Sequence, residues 1–125
     1  MWSFEETAAH ESGYEPIVKS IARHAEDFGM PVLDLDGDSH RYRSDDPLSK
    51  KGSCVTETSP TSVAACPSTT WDRHPSYNVP NFHRIVVHGS SLPLEYLRLT
   101  IDPSAHAKNS ANAFGPFSWV RVPQI

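Results

Sequence analysis

An amphipathic helix that runs directly into a short apolar strand is the feature that most constrains this chain. Between residues 14 and 28, apolar side chains recur at intervals of three and four positions, which places them on one helical face. Pro16 suits the first turn and Gly29 the carboxyl end, so we predict a helix over residues 15–28. The next run, 30–36, starts apolar and turns acidic, as a buried strand does at the edge of its sheet. This order predicts a mixed α/β (α+β) fold in which helix and sheet pack together.

A stretch rich in Pro, Ser and Thr separates this segment from the remaining predicted strands. Residues 44–80 have almost no hydrophobic periodicity, so we predict no regular structure there and interpret 49–76 as an insertion loop. Three segments of β character follow at 82–87, 92–101 and 117–122. The turn at 88–91 predicts that the first two pair as an antiparallel hairpin, and Asp102 with Pro103 ends the second. The chain is therefore expected to be loop-rich, with closing antiparallel strands.

Length and charge narrow the classes of function. A chain of 125 residues fits a single domain, or a fragment of one, over residues 1–125. The formal net charge of −4, without any basic stripe, argues against nucleic acid or an anionic membrane as a partner. The apolar runs are far shorter than the roughly 20 residues that span a bilayer, and the acidic first residues lack the features of a secretory signal. We expect a soluble chain and leave its compartment open.

The two cysteines both lie in the Pro-rich stretch. Cys54 and Cys66 are twelve positions apart. This spacing is compatible with a disulfide that closes a loop and equally with two free thiols. The sequence leaves both alternatives open.

Residues 34–40 carry the greatest concentration of chemically active side chains. They contain three carboxylates and one imidazole: Asp34, Asp36, Asp38 and His40. Oxygen and nitrogen donors at this density favour a divalent metal ion. Gly37 allows the chain to turn at the end of the predicted strand, which can direct Asp38 and His40 into one cleft. The alternative is an acidic turn that is simply solvated.

Two phosphatase-like or metal-binding patterns compete for the same segment. The motif at 34–37 resembles the first motif of haloacid-dehalogenase-type phosphatases, which would make Asp34 the nucleophile and Asp36 the general acid, with magnesium. That family continues with alternating helices and strands, whereas loop and β-strand follow here. An EF-hand loop would need glycine at Ser39 and glutamate at Asp45. Both patterns fit the chain as a whole poorly.

Separated blocks of the chain resemble a bacterial branch of the calcineurin-like metallophosphoesterases. One block is Phe-Gly-Met-Pro-Val-Leu at 28–33, and the Gly-Asp-Ser-His motif opens another at 37–48. Two further blocks, at 81–90 and 97–103, are similar to the closing strands of that family. The resemblance extends over about 14–48 and 77–122. It implies the C-terminal part of a metallophosphoesterase-type β-sandwich flanked by helices, and hydrolysis of a phosphate ester.

The resemblance also implies a set of metal ligands. The last metal motif of the superfamily is Gly-His-x-His, and Asp38 and His40 occupy its ligand positions here. The complete enzyme would hold two divalent ions, Mn, Fe or Zn, with further ligands from motifs that precede this segment in the family. We therefore expect the chain to be a fragment that is inactive in isolation. The alternative is a remnant or binding domain that holds no metal.

Other polar residues near the motif were weighed in the same way. Arg41 and Arg43 can bind a substrate phosphate through charge-assisted hydrogen bonds, or can be surface charges that oppose the acidic pair at 45–46. Isolated histidines are weak signals of a site. We therefore expect His24, His83 and His88 to have structural or solvated roles.

Overall fold

The computed structural model describes residues 14–37, 39–67 and 76–124. One helix, α1 (Glu15–Phe28), precedes eight strands. The strands are β1 (Val32–Asp36), β2 (Arg43–Asp45), β3 (Cys54–Ser59), β4 (Ser62–Ala65), β5 (Phe82–Val86), β6 (Glu95–Ile101), β7 (Ala113–Phe114) and β8 (Phe117–Pro123). The mixed α+β composition that the sequence predicts is confirmed. No helix in the described part of the chain combines the length and apolar character needed to cross a membrane.

The predicted helix over residues 15–28 is confirmed at both ends. Proline in its first turn suits the fixed backbone angle of that position, and Gly29 ends it in the left-handed conformation at φ 69°. The Gly29 N–H donates to the carbonyl oxygen of Ala25. Val18, Ala22 and Ala25 form the buried face, at the spacing that the sequence pattern indicates.

Two sheets make up the rest of the described chain. The first has five strands in the order β1-β5-β2-β3-β4, in which β1 and β5 are parallel and the other pairs antiparallel. The second has three antiparallel strands in the order β6-β8-β7. Parallel pairing of β1 with β5 is what brings the carboxyl ends of these two strands to one edge of the sheet.

Apolar residues form a cluster on each face of the first sheet. On one face, Val32 and Phe82 pack with the buried side of α1. On the other, Leu33 and Ile85 pack with Trp119 and other residues of the second sheet. Alternate residues of β1 and β5 thus serve opposite faces, as strand geometry requires. The helix and the second sheet cover the two faces of the first.

The prediction of no regular structure over residues 44–80 is wrong in part. Strands β3 and β4 form an antiparallel hairpin inside it, so the segment 49–76 is not simply an insertion loop. The β2 strand also extends into the predicted loop and joins β3 to β5. The hairpin escaped prediction because its Ser and Thr residues hide the apolar alternation that marks a strand. The backbone ladder joins the two strands, and the Thr58 and Ser62 hydroxyls lie 2.7 Å apart.

The predicted hairpin between the strands at 82–87 and 92–101 is also wrong. The three strands themselves are confirmed, but β5 belongs to the first sheet and β6 to the second. The segment between them leaves one sheet and enters the other, so its turn residues mark a crossing rather than a hairpin. The antiparallel pairing of β6 with β8, over residues 95–101 and 117–123, does confirm the closing antiparallel strands.

Cys54 and Cys66 form a disulfide, which decides between the two alternatives that the sequence left open. It joins the start of β3 to the residue after β4, where the Cys66 N–H also donates to the Cys54 carbonyl oxygen at 3.0 Å. The hairpin between them carries Glu57, which lines the cleft described below.

Reduction of this disulfide is expected to destabilise the fold. Closing a loop of about a dozen residues restricts the unfolded chain by roughly 3 kcal/mol in the loop-entropy model. Urea unfolding of the oxidised and reduced protein should show this difference in the free energy of unfolding. In a Cys54→Ala/Cys66→Ala double variant, the reductant should have no effect. Equal stability of the oxidised and reduced wild type would contradict the prediction.

Polar residues are also buried in the core, beside the two apolar clusters. Arg84 donates to both carboxylate oxygens of Asp45, at 2.9 Å from Nε and 2.7 Å from Nη2, and both residues are buried. Asp46 accepts a hydrogen bond from His83 Nδ1 at 2.7 Å. His83 Nε2 lies 2.7 Å from the Ser44 hydroxyl. These bonds connect β2 with β5 through side chains as well as through the backbone.

Candidate functional site

The carboxyl ends of β1 and β5 meet at one edge of the first sheet. Asp36 and Val86 are register partners at the last position of the two strands, and the Val87 N–H donates to the Asp36 carbonyl oxygen at 2.8 Å. The loops that follow both strands therefore begin side by side. In open α/β sheets, ligands bind in the crevice beyond the carboxyl ends of parallel strands, and β1 and β5 are the parallel pair of this mixed sheet.

His40 lies in the loop after β1 and its backbone is fixed on both sides. Its N–H donates to the Gly37 carbonyl oxygen at 3.1 Å, and its carbonyl oxygen accepts from Gly89 N–H at 2.9 Å. The residue adopts the left-handed conformation at φ 63°, uncommon for a side chain other than glycine. A Cβ at Gly89 would lie 3.3 Å from His40 Nδ1, so the absence of a side chain at position 89 gives the imidazole its room.

Of the two predicted metal ligands, His40 lies among the described residues and Asp38 lies outside them. His40 is exposed and lines an open cleft of about 490 Å³ at this edge of the sheet. Arg41, Glu57 and His88 line the same cleft. The structure thus places the predicted imidazole ligand beside other groups that bind ions.

Both arginines that the sequence nominated for phosphate binding line one cavity. This second cavity, of about 250 Å³, lies beside Ser39, Arg41, Arg43, Thr56 and Pro67. Arg41 lines the larger cleft as well, and its Nη2 donates to the Glu57 carbonyl oxygen at 3.3 Å. Arg43 Nε lies 3.9 Å from the Asp45 carboxylate, which is too long for a strong hydrogen bond. Two arginines and two hydroxyl-bearing residues therefore line a cavity that is large enough for a phosphate group.

A second group of ionisable side chains adjoins the larger cleft. Glu57 on β3, His88 after β5 and Glu95 at the start of β6 each present a donor atom, all within 4.8 Å of one another. His88 Nδ1 lies 2.9 Å from Glu57 Oε2 and 3.9 Å from Glu95 Oε1. One imidazole and two carboxylates at these distances could hold a metal ion.

Arg121 on β8 orders the carboxylates of this group. Its Nε and Nη2 each donate to Glu95 at 2.8 Å, and Nη2 also donates to Glu57 Oε2 at 2.8 Å. The guanidinium lies over the Tyr42 ring, 4.6 Å from its centroid. His88 Nδ1 is itself hydrogen-bonded to the Glu57 carboxylate. This hydrogen bond raises the pKa of His88 above its ordinary value, although burial acts in the opposite direction.

The sequence did not point to Glu57 or Glu95, and a structural or solvated role was predicted for His88. The three residues lie in separate parts of the chain, and no short-range pattern in the sequence indicates that their side chains come together. Glu57 also falls in the stretch that was predicted to have no regular structure. The crossing of the chain from β5 to the second sheet is what brings Glu95 close to His88.

His83 was predicted to have a structural or solvated role, and it is buried and hydrogen-bonded on both ring nitrogens. Together with Ser44 and Asp46 it has the order of a nucleophile, base and acid, with 2.7 Å between successive groups. All three side chains are buried, however, and His83 stacks against Phe114 with 5.2 Å between ring centroids. A substrate cannot reach a hydroxyl in this position, so the trio holds the core together.

The comparisons with known proteins add no relative. Neither protein-family models, nor curated proteins, nor solved structures yield a match to this chain. Evidence for a function therefore comes from the residues themselves and from the resemblance of the sequence blocks to the metallophosphoesterases.

Proposed function

We propose that this chain is the part of a metal-dependent phosphoester hydrolase that carries the last metal motif and the phosphate-binding arginines. One observation supports the proposal: His40 and Arg41 line the same cleft beyond the carboxyl ends of two parallel strands. The proposed metal ligand and the proposed phosphate ligand are therefore neighbours in the sequence and share one cleft. The two-sheet arrangement is in keeping with a metallophosphoesterase-type β-sandwich, which forms part of the proposal.

The roles divide between two kinds of side chain. His40, with Asp38 as its expected partner, binds a divalent ion; Mn, Fe and Zn all accept imidazole and carboxylate ligands. When bound, such ions activate water and polarise the phosphoryl oxygens. Arg41 and Arg43 bind the phosphate through charge-assisted hydrogen bonds, with Thr56 beside them. Two ligands are too few for a binuclear centre, so hydrolysis by this proposal needs further ligands.

The haloacid-dehalogenase-type alternative has less support. Its nucleophile and acid, Asp34 and Asp36, lie within β1 rather than beyond its end, and neither lines the two cavities at the sheet edge. Asp34 Oδ2 and Asp36 Oδ1 are also shielded from solvent. A nucleophilic carboxylate must meet a phosphate directly.

The proposal predicts that His40→Ala weakens Mn²⁺ binding at the cleft by tenfold or more. Loss of an outer contact to a metal ligand already costs roughly 10–100-fold in affinity, and loss of the ligand itself costs at least as much. Mn²⁺ titration followed by electron paramagnetic resonance measures the effect. His106→Ala, which removes an exposed imidazole from a loop, is the matched control and should bind as the wild type does.

A second experiment distinguishes the residues that bind phosphate from those that bind the metal ion. Arg41→Ala should weaken the binding of inorganic phosphate in the presence of Mn²⁺ and leave Mn²⁺ affinity alone. In a polypeptide that carries the remaining metal ligands, His40→Ala should also abolish hydrolysis of an aryl phosphate. Unchanged Mn²⁺ affinity in the His40 variant would reject the proposal and leave a domain that binds no metal at this motif.

A further inference from the structure

We propose that Glu57, His88 and Glu95 form a second divalent-cation site, separate from the motif that contains Asp38 and His40. None of these three residues belongs to the metal motif that the sequence nominates. The inference stands on their geometry alone and does not depend on the proposed hydrolase activity.

The donor atoms already lie at distances that suit a shared ion. The three ligand atoms are within 4.8 Å of one another. A divalent ion bound about 2.0–2.2 Å from each of two ligands holds their donor atoms roughly 3–4 Å apart, so only small side-chain adjustments are needed. His88 Nδ1 lies 2.9 Å and 3.9 Å from the two carboxylates, close to the lower and upper ends of this range.

The three side chains are held in place before an ion arrives. The His88 side chain is 9% exposed, that of Glu57 16% and that of Glu95 3%. Each comes from a different element, so the group is fixed by the tertiary fold rather than by one flexible loop. Glu57 and His88 also line the open cleft, which provides a route for the ion from solvent. Preorganised and accessible ligands are what a metal site requires.

Arg121 provides the outer contacts that metal ligands commonly have. It donates to Glu95 with two nitrogens and to Glu57 with one, which fixes how both carboxylates are oriented. One guanidinium carries a single positive charge against two carboxylates. The two oxygens nearest His88, Glu57 Oε2 and Glu95 Oε1, also accept from Arg121 Nη2, so an ion would bind through the remaining lone pairs of these oxygens. A set of one imidazole and two carboxylates suits Mn²⁺ or Zn²⁺ rather than Ca²⁺, which takes oxygen ligands alone.

The stoichiometry of Mn²⁺ binding tests this site against the motif site. Where the motif site binds an ion as well, the wild type should bind two ions and His88→Gln one, since the imidazole is lost while the pairs between Arg121 and the carboxylates stay intact. Glu95→Gln should likewise bind one ion. Glu26→Gln, on the exposed side of α1, is the matched control and should bind two.

The pattern of losses also distinguishes the two proposals. If only the second site exists, the wild type binds one ion, which is lost in His88→Gln and kept in His40→Ala. If only the motif site exists, the reverse holds and the inference is overturned. The group around Arg121 is then an ion-pair network only.

A measurement on the wild type avoids any effect of the substitutions on folding. Bound Zn²⁺ should shift the ¹⁵N resonance of His88 Nδ1, because direct coordination changes the electronic environment of the ligating nitrogen. An unchanged His88 Nδ1 resonance at saturating Zn²⁺ would overturn the inference.

Discussion

Replacement of Asp45 by alanine is expected to lower the free energy of unfolding by about 3–5 kcal/mol. Asp45 and Arg84 are both buried, and their two hydrogen bonds are 2.9 Å and 2.7 Å long. The variant takes away the carboxylate while the guanidinium stays in the core, where a charge without compensation is costly. Because Arg84 lies on β5 and Asp45 on β2, the loss weakens the sheet whose edge forms the cleft.

Urea unfolding at neutral pH measures this effect, with Asp27→Ala on the exposed side of α1 as the matched control. The double replacement Asp45→Leu/Arg84→Met should recover much of the lost stability, because an apolar pair of similar volume avoids the buried charge. A destabilisation below about 1 kcal/mol in Asp45→Ala would mean that the pair contributes no more than a surface ion pair does.

Asp46→Ala is expected to be as destabilising, by about 3–5 kcal/mol at neutral pH. The Asp46 carboxylate accepts hydrogen bonds from His83 Nδ1, from the Ser53 N–H at 3.0 Å and from Asn109 Nδ2 at 2.6 Å. Removal of the carboxylate leaves several donors in or near the core with no acceptor, each at a cost of about 1–3 kcal/mol. The same urea experiment measures the loss.

The stabilisation that Asp46 provides should be lost only when the pH falls into the acidic range. Burial alone would raise the pKa of Asp46, but the hydrogen bonds from His83, Ser53 and Asn109 outweigh it and hold the pKa below its ordinary value. A lowered pKa in the folded state gives stability that is fully present above the unfolded pKa, near 4, and is lost as pH falls through the folded pKa. The difference in the free energy of unfolding between the wild type and Asp46→Ala should therefore be constant from neutral pH down to about pH 5, and it should decrease below about pH 4.

Acid titration of both proteins checks this prediction. If the difference in the free energy of unfolding stays the same down to about pH 2, the charge of Asp46 does not stabilise the fold. If this difference already decreases near pH 6, the protonation of a histidine is responsible instead.

Local signals explain what the sequence predicted well. The helix over 15–28 is specified by its own residues, since apolar spacing, a proline in the first turn and a glycine at the end all act within one segment. The strand that follows the helix is confirmed for the same reason: a short apolar run between a glycine and an acidic turn is typical of a buried strand. The position of His40 beyond the end of β1 follows directly from these two elements.

Contacts between distant residues explain what the sequence did not predict. The β3–β4 hairpin is rich in Ser and Thr and shows no apolar alternation, so it carries no periodic signal. The separation of β5 and β6 into different sheets depends on which faces are buried, and a turn at 88–91 looks the same in a hairpin and in a crossing. The group of Glu57, His88 and Glu95 is a consequence of both, so it could be found only from the fold.

The most direct test of the account is a crystal structure of the chain grown with Zn²⁺ and measured with X-rays at the zinc absorption edge. The account predicts an anomalous peak in the cleft beyond β1 and β5, about 2.0–2.1 Å from an imidazole nitrogen of His40. Well-ordered crystals in which the His40 side chain is turned away from the cleft, with no zinc near it, would contradict the proposal that this chain carries a hydrolase metal motif.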